Sequence, residues 1–190
     1  MPVTALDPKT ALVVIDLQKG ITALPTAHAI APVIANAARL AHAFRAAKLP
    51  VVLVNVTTVG DGLDLLRTRT DAPAMRLPSS AEFGELLPEL GRSSGDLLVT
   101  KRQPNAFYGT ELDLQLRRRG VTGIVLAGVS TSVGVDGTAR AAHERGYNLA
   151  FAIDAMTDRS LPAHEFVRAN VFPRLGEVDT TDAILALLSG

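Results

Sequence analysis

The sequence predicts an α/β protein, a three-layer α/β/α sandwich with a mainly parallel six-stranded sheet. Six short runs rich in β-branched and apolar residues recur along the 190 residues. The runs are apolar almost throughout, as expected for parallel strands that are covered on both faces. Segments with helical spacing lie between them, and this alternation is typical of doubly wound folds with right-handed crossovers.

The predicted strands follow the order of the chain. They are ALVVID (11–16), VVLVNV (51–56), DLLVTK (96–101), GIVLAG (123–128), NLAFAID (148–154) and a weaker EVDTT (177–181). Since parallel neighbours need long crossover connections, helices are expected between them.

Apolar residues at helical spacing precede four of these strands. They are Ile30, Val33, Ile34, Ala37, Ala38, Ala41 and Phe44; Leu112, Leu114 and Leu116; Val135, Ala139 and Ala142; and Phe166, Val167 and Val171. The chain shows neither an internal repeat nor a linker rich in Gly, Ser or Pro. We therefore predict a single domain over residues 1–190.

The least regular region is 57–95, where Gly, Pro, Ser and Asp cluster. A loop of this length in a compact domain is usually a lid, a binding segment or a partner contact. Its arginines at 67, 69 and 76 are candidates to bind a carboxylate, or they are ordinary solvated side chains.

Composition excludes several classes of function. Lysine plus arginine equal aspartate plus glutamate at 19 each, so no nucleic-acid footprint is present. No signal peptide and no apolar run near the roughly 18 residues of a membrane span are found, so we expect a cytoplasmic protein without a membrane partner. The chain has no cysteine, which excludes disulfides, thiolate-metal sites and a cysteine nucleophile.

Ligands of open α/β sheets bind beyond the carboxyl ends of the strands. This rule selects four segments, 16–20, 55–58, 101–107 and 129–134. A small-molecule site is expected where they meet.

Asp16 ends a buried strand, so partial desolvation would raise its pKa and suit it to general acid or base catalysis. The alternative is an aspartate that caps a turn. Lys101 also ends a strand and should reach the same crevice, where it would keep the carboxylate ionised or bind substrate charge. The alternative is an ordinary surface lysine.

Gln18, Asn55, Phe107 and Thr131 are weaker candidates for substrate binding. Polar residues at strand ends often bond to loop backbone instead. An aromatic residue in Phe107's position either lines the pocket or fills core.

The turn GVSTSVG (128–134) combines hydroxyl side chains with a bare Gly134. Backbone N–H groups at a strand-to-helix turn bind anions without any side chain, and glycine also allows close backbone approach. A serine nucleophile needs an adjacent base, and none of the histidines, His28, His42, His143 and His164, is predicted at a strand end. Neither metal-ligand spacing nor a nucleotide motif is present, so no metal and no cofactor are predicted.

Three segments, VVIDLQKG, VTKRQPNAFYGTELDLQLRRRGV and GIVLAGVSTSVGVDGTARAAHERGY, resemble the isochorismatase-like (cysteine hydrolase) superfamily. The resemblance covers roughly residues 8–188 and implies that family's Rossmann-like topology and a homodimer or homotetramer. The family's catalytic aspartate and lysine correspond to Asp16 and Lys101, and its cysteine to Gly134. The resemblance also implies a cis peptide bond at Val129–Ser130, with an oxyanion hole formed by the N–H groups of Ser130 and Gly134.

Without a thiol no thioester forms, so the usual covalent route to amide hydrolysis is excluded. The isochorismatases proper, which this chain resembles in its glycine, cleave a vinyl ether. There Asp16 would protonate the methylene carbon as a general acid, assisted by Lys101.

Two other hypotheses stay open. The turn TSVG is closer to the cysteine-type pattern, so the chain is alternatively an amidase-type relative in which a natural or engineered Cys-to-Gly change leaves a binder. A third hypothesis is an assembly protein with a vestigial site.

Overall fold

The computed structural model describes residues 2–60, 62–66, 68–71, 77–78 and 80–188. Within them, six parallel strands form one sheet in the order β3-β2-β1-β4-β5-β6. The strands are β1 (Thr10–Ile15), β2 (Val51–Val56), β3 (Leu97–Lys101), β4 (Gly123–Val129), β5 (Asn148–Thr157) and β6 (Glu177–Asp179). The predicted α/β fold with a parallel six-stranded sheet is confirmed.

The helices connect these strands. They are α1 (Lys19–Thr22), α2 (Ile30–Ala46), α3 (Leu112–Arg118), α4 (Asp136–Glu144), α5 (Leu161–Phe166) and α6 (Thr181–Leu188). Alternate side chains of β1 face opposite helix layers. Val13 and Ile15 share a core with α3 and α4, whereas Leu12 and Val14 share one with α2 and α6.

Helix α2 shows how the sequence builds the second layer. Its buried residues are Val33, Ala37, Leu40, Ala41 and Phe44, which recur at the three- and four-residue spacing of one helix face. The helix ends where Lys48 takes a left-handed conformation with φ 57°. The chain then turns through Pro50 into β2.

Strand β5 is longer than predicted because it continues past Asp154 to Thr157. Aspartate is disfavoured in strands, but Asp154 Oδ1 accepts hydrogen bonds from the backbone N–H and the hydroxyl of Thr181, at 2.7 and 2.8 Å. These bonds tie β5 to the start of α6. Helix α6 was not predicted, although its apolar residues Ile184, Leu185, Leu187 and Leu188 follow helical spacing.

Part of the irregular 57–95 region is docked onto the domain. Short 3₁₀ turns cover Ala81–Gly84 and Pro88–Leu90, and Leu86 pairs with Gln18. Arg69 is exposed. Residues 67 and 76, the other two candidate arginines, lie outside the described residues.

Among the described residues, no helix combines the length and the apolar character that a membrane crossing requires.

Candidate active site

Three segments that are distant in sequence meet at the carboxyl edge of the sheet. Asp16 follows β1, Lys101 ends β3, and Gly134 lies in the turn after β4. Lys101 Nζ is 2.7 Å from Asp16 Oδ2. The two residues are only 2% and 5% exposed, so the structure places a buried ion pair where the sequence predicted a crevice.

Lys101 is held by a second contact. Its Nζ donates a hydrogen bond to the carbonyl oxygen of Pro104 at 2.9 Å. An ammonium group carries three N–H donors. Asp16 and Pro104 together use two of them, which leaves one for a ligand.

Asp16 has a left-handed backbone conformation with φ 51°. The turn is tight, because Gln18 N–H donates to the carbonyl of Asp16 at 2.9 Å. Non-glycine residues in this region are uncommon, although aspartate tolerates it better than most. Such outliers concentrate at functional sites.

Burial dominates the electrostatics of Asp16. Desolvation raises its pKa to about 6, although the Lys101 ammonium acts in the opposite direction. Oδ2 faces Lys101, whereas Oδ1 is buried and has no hydrogen-bond partner within the described chain. A buried oxygen left in this state is costly, so Oδ1 is the atom best placed to exchange a proton with a ligand.

Gly134 lies directly beside this pair. A Cβ atom at this position would lie 3.3 Å from Lys101 Nζ, 3.4 Å from Asp16 Oδ2 and 2.9 Å from Ile15 Cγ2. These neighbours are side-chain atoms, and the φ of Gly134 lies outside the left-handed range. A side chain at this position would therefore contact Asp16 and Lys101 directly, and it would fit only if Ile15 Cγ2 shifted.

The turn that carries Gly134 has an unusual backbone. The Val129–Ser130 peptide bond is cis, as the family resemblance implies. Residues Thr131–Val135 form one π-helical turn, in which the carbonyl of Ser130 accepts hydrogen bonds from Val133 and Val135, both at 3.1 Å.

Residues behind the turn fix it in place. The Thr131 hydroxyl donates to the carbonyl of Thr157 at 3.1 Å and lies 2.8 Å from His164 Nδ1. Ser132 N–H donates to Asp158 Oδ2 at 2.6 Å. Thr131 is fully buried, and these contacts join the turn to Thr157 and His164. Sequence reasoning missed Asp158 and His164, although Asp158 directly follows a strand.

The weaker candidates also make contacts within the protein. Gln18 is fully buried; its amide donates to the carbonyls of Val56 and Phe83 at 2.9 and 2.8 Å, and its Oε1 accepts from Val56 N–H at 2.8 Å. Asn55 donates to the carbonyl of Gly84 at 2.7 Å. Both side chains therefore anchor the 81–84 turn to the sheet.

Phe107 is 4% exposed and packs in the core, with its ring 6.0 Å from that of Tyr147. Of the nine sequence candidates, the structure thus brings Asp16, Lys101 and Gly134 into mutual contact distance, with Val129 and Ser130 shaping the adjoining turn.

A neighbouring ion pair, which the sequence did not predict, links the irregular region to this site. Arg102, next to Lys101, pairs with Asp64. The Thr58 hydroxyl donates to Asp64 Oδ1 at 2.6 Å, and this bond is the main reason that the pKa of Asp64 falls to about 2. The start of the 57–95 region is therefore tied to the loop that follows Lys101.

Cleft size does not identify the site. Clefts of about 510 and 740 Å³ lie at the opposite edge of the sheet. They are lined by residues near the amino ends of strands, such as Thr10, Gly123 and Val51. The chemistry of Asp16 and Lys101 marks the carboxyl edge instead.

Comparisons with known proteins find relatives over nearly the whole chain. A family model described as "Isochorismatase domain" matches residues 10–183. The uncharacterised isochorismatase family protein YwoC of Bacillus subtilis (strain 168) is 45% identical over 181 residues, which cover 93% of each chain. A solved isochorismatase family protein from Burkholderia thailandensis is 44% identical, with a TM-score of 0.95 and 98% of each chain covered. N-carbamoylsarcosine amidase from Thermoplasma acidophilum is 27% identical, with a TM-score of 0.74, over 92% of this chain and 97% of that chain.

Proposed function

Because the chain belongs to the isochorismatase family of hydrolases, we propose that it hydrolyses a small metabolite without a cysteine nucleophile, using Asp16 as general acid. One observation carries this proposal. Asp16 is buried with a pKa raised to about 6, and its Oδ1 has no partner within the described residues. A carboxyl group of this kind is partly protonated near neutral pH and has an oxygen free to deliver the proton.

Vinyl-ether cleavage needs a general acid and water but no nucleophile from the protein. The Asp16 O–H bond breaks as the alkene electrons form a C–H bond at the methylene carbon, which leaves an oxocarbenium ion. Water adds to that cation and returns a proton to Asp16. The resulting hemiketal collapses to a ketone and an alcohol.

Lys101 and Gly134 support this role. The Lys101 ammonium stabilises the Asp16 carboxylate that forms when the proton leaves, and its remaining N–H donor is available to substrate charge. Because Gly134 has no side chain, substrate or the attacking water would meet only backbone on this side of the pair. The N–H groups of Ser130 and Gly134 are the donors that we assign to an anionic substrate group.

The test is pyruvate release from isochorismate by the purified protein, followed through a coupled dehydrogenase. We expect release by the unmodified chain and a loss of about 10²- to 10⁴-fold in Asp16→Asn, the usual contribution of a general acid. The asparagine keeps the shape of the side chain but has no acidic proton to transfer. An unchanged rate in Asp16→Asn would exclude the acid assignment.

The geometry of Gly134 also favours a second candidate function. A side chain there would contact both Asp16 and Lys101, which is where an amidase-type thiol would be activated. The similarity to an N-carbamoylsarcosine amidase points in the same direction. The chain would then be a relative that has lost its nucleophile and retains binding.

Gly134→Cys separates the two functions. If the second candidate is correct, this variant hydrolyses members of an amide panel, whereas Gly134→Ala, the matched control, does not. If the first is correct, both variants lose vinyl-ether cleavage because the space beside Asp16 is filled. Each substitution requires Ile15 Cγ2 to shift by a few tenths of an ångström.

We further propose that the protein is a cytoplasmic homodimer or homotetramer whose partner is a small-molecule substrate. The third hypothesis, an assembly role with a vestigial site, shares the oligomer but lacks turnover. Sedimentation equilibrium gives the mass of the assembly. A monomer would contradict both the oligomeric proposal and the assembly role.

A further inference from the structure

A second group of polar side chains lies on the far side of the active-site turn. His28, His164 and Glu165 each offer one potential ligand atom, and these atoms lie within 4.8 Å of one another. The two imidazole rings are in edge-to-face contact, with centroids 4.7 Å apart. His164 is 3% exposed, and the other two residues are partly buried.

The tautomer of His164 follows from counting hydrogens. A threonine hydroxyl has one hydrogen, and Thr131 donates it to the carbonyl of Thr157 at 3.1 Å. When Thr131 donates in this way, His164 Nδ1–H is the donor in the 2.8 Å contact between Thr131 Oγ1 and His164 Nδ1. In the neutral ring, Nε2 then carries the lone pair.

The neutral form of His164 is the favoured one. Burial lowers its pKa, and the neighbouring His28 lowers it further. A neutral imidazole with one nitrogen held by a hydrogen bond and a lone pair on the other has the form that binds a metal ion.

His28 and Glu165 each have a second potential ligand atom besides the one that contacts a neighbouring residue. His28 Nδ1 is 3.0 Å from the Thr157 hydroxyl, so its Nε2 is the nitrogen left for a ligand. Arg168 donates to Glu165 through Oε2 alone, at 2.9 and 2.6 Å. This arrangement leaves Glu165 Oε1 to a cation.

Two carboxylates lie near the imidazole pair. Glu165 and Asp158 raise the pKa of His164, whereas His28 and Arg168 lower it. These carboxylates would offset part of the charge of a bound cation.

We propose that His28, His164 and Glu165 form a site for a divalent transition metal ion of the zinc class, separate from the Asp16–Lys101 pair. Two imidazoles and one carboxylate are a typical zinc donor set, with a fourth position open to water. Metal–ligand bonds of about 2.1 Å in a tetrahedron place ligand atoms about 3.4 Å apart. The ligand atoms are separated by up to 4.8 Å, so ion binding requires the partly exposed side chains of Glu165 and His28 to move inward.

The site would act on the turn through His164. Its Nδ1–H binds Thr131, which lies in the same π turn as Gly134. A bound ion would therefore restrain the turn through His164 and Thr131. Because the ion would bind only the folded chain, it would also stabilise the folded state.

The test uses the full chain without an affinity tag, stripped with a chelator. Zn²⁺ binding is measured by calorimetry, and Co²⁺ is titrated as a spectroscopic probe of the ligands. We expect one ion per chain and a rise in Tm with Zn²⁺. His28→Gln and Glu165→Gln should each weaken binding by at least about tenfold, the lower end of what loss of an outer-shell partner alone costs.

The other histidines, His42 and His143, are exposed on helices and supply the matched controls His42→Gln and His143→Gln. The chain has four histidines and no cysteine, so these two and the two of the proposed site are its complete set of imidazole donors, and it has no thiolate donor. Absence of binding by the unmodified chain would overturn the proposal. Equal weakening in the controls, or unchanged binding in His28→Gln, would overturn it as well.

Discussion

At the residue scale, Asp16 and Lys101 show how burial shapes an ion pair. The two side chains make a 2.7 Å contact almost completely shielded from water. Desolvation nevertheless outweighs the attraction of the ammonium, and the pKa of Asp16 rises from 3.8 to about 6. At pH 7 this change increases the protonated fraction from about one in 1,500 to about one in ten.

We therefore expect the ¹³C carboxyl resonance of Asp16 to titrate with a midpoint near pH 6. Since only the protonated form donates a proton, kcat/KM should be constant below this pH and fall about tenfold per pH unit above it. The resonance of Asp16 is identified as the carboxyl signal that is missing from the spectrum of Asp16→Asn. A midpoint near 4 would contradict the effect of burial.

Lys101→Met should move the same midpoint further upward, because the ammonium that lowers the pKa of Asp16 is removed. The variant leaves a buried carboxyl without its cation, so we also expect it to be less stable, by up to about 3–5 kcal/mol. The carboxyl titration and urea unfolding measure the two effects. Lys19→Met is the control, since its partner Glu85 is at the surface and loss of that exposed pair should leave the free energy of unfolding nearly unchanged. An unmoved midpoint in Lys101→Met would show that the two groups are not coupled.

At the scale of single elements, the end of β4 has the strictest backbone requirement near the site. Gly128 has a φ of 117°, and a Cβ atom there would lie 2.0 Å from the carbonyl oxygen of Ile15. The glycine thus lets β4 lie against β1 immediately before the cis bond and the active-site turn.

Gly128→Ala should destabilise the protein by more than about 3 kcal/mol, since both the left-handed conformation and the contact with backbone oppose it. Denaturant unfolding is the measurement. Gly95→Ala, where a Cβ meets no atom within 4 Å, should change the free energy of unfolding by less than about 0.5 kcal/mol. Similar values for the two variants would show that β4 and β1 readjust freely.

Helix α6 was not predicted, yet it contributes to the core. Ile184 is fully buried in the cluster that includes α2. Ile184→Ala should cost about 2–5 kcal/mol of unfolding free energy. Leu187→Ala, on a side chain that is 37% exposed, should cost clearly less. Equal losses would mean that α6 does not pack as described.

At the scale of the whole molecule, one sheet lies between the two helix layers. The two core clusters share every central strand, because alternate residues of β1, β2 and β4 enter opposite clusters. Each helix layer buries its apolar residues against one face of the same sheet. We therefore expect the two layers to unfold together.

Urea unfolding should therefore give coincident transitions for two probes. Fluorescence of Tyr147, measured in Tyr108→Phe because the chain has two tyrosines, reports the cluster with α3 and α4. Far-UV circular dichroism reports the helices, of which α2 is the longest described. Separate midpoints would contradict the predicted single domain. Protein concentration must be varied, because assembly also shifts midpoints.

Much of this architecture was predictable because local patterns carry it. The run VVLVNV became β2 with the predicted bounds, and the heptad-like spacing from Ile30 to Phe44 became one face of α2. Asp154 shows the limit of such reasoning. Its strand preference is poor, yet β5 passes through it because Thr181 supplies hydrogen bonds from elsewhere in the chain.

The sequence by itself determined the alternation of strands and helices and placed Asp16, Lys101 and Gly134 at strand ends, because apolar periodicity and turn chemistry act over a few residues. Only the tertiary structure decided that Asp16 Oδ2 and Lys101 Nζ lie 2.7 Å apart, that Gly134 lies directly beside them, and that the rings of His28 and His164 are in contact. These contacts join residues far apart in sequence. They depend on the strand order and register of the folded sheet, which no local pattern contains.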